Sequence, residues 1–76
     1  MEKLQLLQSL TEFVLDVEKR LPEDKYISID YMWHVNGVVI TLSKQETCEV
    51  LESKTHYFGR THGDSIEDII TWLQTL

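Results

Sequence analysis

A two-layer α+β fold is the expectation for this chain, and three observations carry it. An apolar stripe of helical spacing comes first, an Asn-Gly turn sits between two alternating segments in the middle, and a capped apolar stripe follows. In order they give an N-terminal helix, a three- or four-stranded antiparallel meander and a C-terminal helix, with both helices on one sheet face. The 76 residues, 42% of them apolar, suit a single domain over residues 1–76. A chain this short buries only about 60% of its unfolded surface, which leaves little material for a deep, walled cavity.

Leu7, Leu10, Val14, Val17 and Leu21 step by three, four, three and four, so they share one side of a helix. Leu4, Leu6 and Phe13 widen that stripe, while Glu, Gln and Lys fill much of the rest. Lys19 and Arg20 complement the negative end of the dipole, and Pro22 stops the helix, which is expected over roughly residues 2–20.

Asn36-Gly37 is the strongest short signal for a two-residue type I′ hairpin, because both turn positions need positive φ. Taken literally, it places Val35 opposite Val38, Trp33 opposite Ile40 and Tyr31 opposite Leu42. Ile27 and Ile29 continue the same apolar side. The other side then carries Ser28, Asp30, Met32, His34, Val39, Thr41 and Ser43. A slip of one residue would exchange the two faces, so turn and pattern support each other.

Beyond Ser43, Thr47–Leu51 and Thr55–Arg60 are both strand-like, joined around Glu52-Ser53-Lys54. Two strands are favoured, giving four in all. Gly63 then ends the strand region, and Asp64-Ser65-Ile66-Glu67-Asp68 offers two overlapping capping boxes, Asp64 with Glu67 or Ser65 with Asp68. Ile66, Ile69, Ile70, Leu73 and Leu76 form the last apolar stripe, with Trp72 on its flank. The order resembles that of double-stranded RNA-binding domains in layout only. Just Lys54 and Arg60 lie near the relevant helix start, where that family places several basic residues.

Composition excludes several function classes. Seven Lys and Arg against thirteen Asp and Glu give a net charge of −6, which opposes binding to nucleic acid or anionic membrane. The longest apolar run, Val38-Val39-Ile40, is far short of the roughly 18 residues that span a bilayer. Met1-Glu2-Lys3-Leu4 lacks the basic start and apolar block of a signal peptide. Cys48 has no partner for an internal disulfide, so a reducing, cytoplasmic setting is expected.

Catalytic and metal constellations are weak. Cys48 lies between Glu46 and Glu49, and neighbouring carboxylates raise a thiol pKa and dull its nucleophilicity. Its expected role is a small apolar residue on the inner face of the third strand, alternating with Val50. His34, His56, His62 and Cys48 have no recognised metal-ligand spacing. Gly59-Arg60-Thr61-His62-Gly63 precedes a helix start, yet Asp64, Glu67 and Asp68 would repel a phosphate there. No catalytic residue, cofactor or metal is expected.

What remains is the sheet face that two helices cannot cover. Met32, His34 and Val39 form an apolar centre rimmed by Asp30, Thr41 and Ser43, and the last strand adds either Tyr57 or His56 with Phe58. Glu46, Glu49 and Glu52 make an acidic edge. The expectation is a small, acidic, non-enzymatic protein-binding module, an inhibitor or regulatory subunit whose partner has a basic surface. One alternative is a nucleic-acid-mimicking inhibitor of the phage or mobile-element type; the other is a homodimeric interaction protein.

Overall fold

The structure is a computed structural model that describes residues 2–59 and 62–76. Helix α1 (Glu2–Arg20) leads into strand β1 (Lys25–Met32), then β2 (Gly37–Lys44), β3 (Val50–Tyr57) and helix α2 (Ile66–Thr75). The strands form one antiparallel sheet in the order β1-β2-β3. Leu10, Val14 and Val17 of α1 and Ile69, Trp72 and Leu73 of α2 share one buried cluster with Ile27, Val38, Ile40, Leu42 and Phe58. Both helices therefore lie on the same sheet face, and the α+β class and helix–meander–helix order hold.

The first hairpin differs from the expected one. Its loop holds four residues: Trp33–Val35 form a 3-10 turn and Asn36 takes the left-handed conformation at φ 52°. Met32 consequently pairs with Gly37, Tyr31 with Val38, Ile29 with Ile40 and Ile27 with Leu42. Tyr31 has moved four positions along β2 from its expected partner Leu42. An even displacement keeps every side chain on its own face. The inner face survives, but Trp33 and Val35 leave the sheet and their expected pairings with Ile40 and Val38 do not form.

Gly37 explains why the signal misled. Only Gly59 and Gly63 among the glycines have positive φ. Gly37 is needed because the Tyr57 ring lies over it, and a Cβ there would come within 3.0 Å of Cδ1. The wider loop also frees Asn36 to act as a hub. Its Oδ1 accepts from Lys3 Nζ and from Tyr31 OH at 3.0 Å, and its Nδ2 donates to Phe58 O at 3.3 Å.

Three strands form, not the four favoured. Glu52-Ser53-Lys54 lies inside β3 instead of between two strands. Polar residues are tolerated there because β3 is an edge strand and water reaches its open side. Lys54 lays its stem towards α2, with Nζ 6.0 Å from the Trp72 ring centroid. Thr47 to Glu49 instead close the β2–β3 turn, with Cys48 N donating to Lys44 O and Lys44 N donating to Glu49 O. Cys48 is exposed at φ 59° and is not an inner-face strand residue. Val50, its expected neighbour on that face, is exposed as well.

Of the two capping pairs, the second supplies the N-cap: Ser65 Oγ accepts from Asp68 N at 3.1 Å. Asp64 is used elsewhere. Its Oδ2 accepts from Thr55 N at 3.0 Å and its own N donates to Thr55 O, which fastens the segment before α2 to the outer edge of β3. Trp72 is buried, not flanking, and among the described residues its Nε1 has no hydrogen-bond partner.

Candidate contact surface

The register sorts the residues expected at a contact surface. On the face away from the helices, Val39 lies between Asp30 of β1 and Thr55 of β3, and Thr41 between Ser28 and Ser53. Met32 and Tyr57 flank Gly37 on the same face. Asp30, Met32, Val39, Thr41 and Tyr57 are thus brought together. The strand contributes Tyr57 to this face; His56 and Phe58 point to the helices. His56 Nδ1 is 2.8 Å from Asp64 O, so Nδ1–H is the donor, and its ring meets Phe58 edge-on at 5.0 Å.

His34 is not on a strand. It is exposed in the 3-10 turn, where it lines a shallow pocket of about 260 Å³ with Val35, Tyr57 and His62. The Tyr57 and His62 rings lie 4.5 Å apart. The Gly59–Gly63 loop considered for phosphate lies partly outside the described residues. Among the described residues, no three His, Cys, Asp or Glu side chains gather as a metal site would require.

The acidic residues are not part of this patch. Glu46 and Glu49 occupy the β2–β3 turn, at the opposite end of β2 from His34. Eight residues of β2 separate the two ends by about 26 Å. Glu52 pairs with Leu42 and so belongs to the helix-covered face, although it is exposed at the sheet's edge.

The residue that sequence reasoning misplaced is the most informative one. Trp33 was expected in the core, yet 79% of it is exposed. It is not loose: its ring stacks on Tyr31 at 4.4 Å, and Tyr31 meets Phe58 edge-on at 6.2 Å. Lys3 Nζ lies 5.3 Å from the Tyr31 centroid, and the Asn36 hub fixes the Tyr31 hydroxyl. An exposed indole held by a buried-side brace loses little side-chain freedom on contact. Only a hairpin with a longer loop would have placed Trp33 there, and nothing in the alternating pattern distinguishes the two loops.

Comparison with known proteins returns no match, whether against family models, curated proteins or solved structures. Among the described residues, no helix is long and apolar enough to cross a membrane.

Proposed function

We propose that this chain is a small, non-enzymatic protein-binding module, an inhibitor or regulatory subunit. It docks through the β1–β2 hairpin end and the adjoining open sheet face. The observation that carries the reading is Trp33, exposed yet braced on Tyr31. Trp is the residue type most enriched at binding hot spots, where rigid aromatic area is inserted into a partner's pocket. Met32, Val39 and Tyr57 extend the apolar area behind it, and Asp30, His34 and Thr41 supply the polar rim.

The partner in this reading carries a basic surface. Glu46 and Glu49, together with the net charge of −6, steer its approach more than they hold it. The setting is cytoplasmic, where Cys48 stays reduced. Mimicry of nucleic acid gains no support from this arrangement, because the proposed contact centre is aromatic and apolar and not a row of carboxylates.

A photo-crosslinking amino acid at position 34, beside Trp33, tests the proposal in lysate of the native host. One defined adduct is expected, and it should vanish when Trp33→Ala is added. The same probe at exposed Thr71 on α2 serves as control. An adduct that survives Trp33→Ala, or that forms equally from position 71, would refute docking through the hairpin end.

A further inference from the structure

Residues 36 and 37 carry a chemistry that the contact surface does not use. Asn36 is the chain's only asparagine, and Gly37 follows it with no side chain to shield its nitrogen. In a free chain that pairing favours attack of the glycine nitrogen on the asparagine amide carbon. Here the fold holds the two groups apart. Closing the five-membered ring needs a ψ of about −120° at Asn36, where Gly37 N eclipses Cβ. The residue instead sits at φ 52° and ψ 49°. Gly37 N is therefore turned about 170° around the Cα–C bond from the side chain it would attack. Gly37 is itself buried beneath the Tyr57 ring.

The amide is tied as well as misaligned. Its Oδ1 accepts from Lys3 Nζ and Tyr31 OH, and its Nδ2 donates to Phe58 O. The backbone is held too: Asn36 N donates to Trp33 O at 3.3 Å, and Asn36 O accepts from Phe58 N at 2.9 Å. Lys3 belongs to α1, Tyr31 to β1, and Phe58 follows β3. Ring closure therefore requires the hairpin end to detach from three separate parts of the fold.

We propose that Asn36 is a modification site gated by this hub, losing its amide only when the β1–β2 loop opens. In the open loop Gly37 N bonds to Asn36 Cγ, the Cγ–Nδ2 bond breaks, and ammonia departs with the proton from Gly37 N. Water then opens the cyclic imide at either carbonyl. The product is Asp at position 36 or an iso-aspartyl link whose main chain runs through Cβ, and water is the only co-reactant. Neither product restores the loop. A carboxylate has no N–H to give Phe58 O. The iso-aspartyl link adds a backbone carbon between positions 36 and 37, which disturbs the pairing of Gly37 with Met32. The change is one-way, and it falls on the hub that braces Tyr31 and, through it, Trp33.

The proposal rests on the hub alone and not on any partner. A reaction confined to an open state runs in proportion to the population of that state. One net hydrogen bond is worth about 5-fold in that population, and two about 30-fold. The full chain is incubated in mildly alkaline buffer, with and without denaturing urea, and the amide-to-acid mass gain is located by peptide mass spectrometry. Conversion is expected at position 36, at least about 30-fold slower in the folded chain than in urea. Tyr31→Phe keeps the ring that stacks on Trp33. It should convert about 5-fold faster than the parent when folded, yet at the parent's rate in urea. Lys3→Met, on a different element, should behave in the same way. Equal parental rates in buffer and in urea would overturn the proposal. So would no conversion at position 36 in urea, or hub variants that convert no faster than the folded parent.

Discussion

Replacing Trp33 by alanine separates an exposed, braced indole from a core one. Trp33 keeps 79% of its surface in water. Of the roughly 250 Å² that a Trp can bury, only about 50 Å² is then removed from solvent, about 1 kcal/mol at about 25 cal/mol per Å². The stack on Tyr31 adds about 0.5–1.5 kcal/mol. Trp33→Ala should therefore cost about 1.5–2.5 kcal/mol. Had Trp33 faced Ile40 inside the sheet, truncation would cost about 3–5 kcal/mol. Urea unfolding followed by circular dichroism measures the difference, with Ile40→Ala, fully buried, as the internal standard. That standard should lose about 2–5 kcal/mol. A Trp33→Ala loss equal to or above the Ile40→Ala loss would refute the four-residue loop and the exposure of the indole.

Four further outcomes follow from the packing. Gly63→Ala should destabilise by about 2 kcal/mol or more in the same unfolding assay, because Gly63 has φ 87° and its Cβ would stand 2.9 Å from Thr55 O and from the Tyr57 ring; a neutral change would contradict that close approach. Ser65→Ala should lose about 1 kcal/mol with the N-cap bond to Asp68 N, whereas Asp64→Ala should loosen the edge of β3, read as faster hydrogen exchange at Thr55 N. Trp72→Phe keeps most of the buried ring and removes an unpartnered Nε1, so stability should hold or rise; a loss above about 1.5 kcal/mol would mean the indole N–H is satisfied after all.

The helices were legible because their signals are local and redundant. The Leu7-to-Leu21 spacing and Pro22 marked α1 almost to the residue, and Ser65 with Asp68 marked the start of α2. The inner sheet face was legible as well, since any even register keeps Ile27, Ile29, Val38, Ile40 and Leu42 together. Loop length was not. Asn36 and Gly37 fit a two-residue turn, but each serves a contact made by distant residues, Asn36 to Lys3 and Phe58 and Gly37 to Tyr57. Such tertiary demands leave no periodic trace. The same cause hid Trp33 and, with it, the centre of the candidate site. Met32, Val39 and Thr41 were placed on the open face by alternation alone, whereas His34 fell in the loop and Glu52 on the opposite face.

The affinity of Trp33→Ala for the cross-linked partner, purified and titrated by calorimetry, bears most directly on the proposed role. A hot-spot indole should cost at least about 30-fold in Kd when truncated, with far-ultraviolet circular dichroism unchanged. Equal affinities for parent and variant would mean that the partner grips another face and that the braced indole is not what this small domain offers.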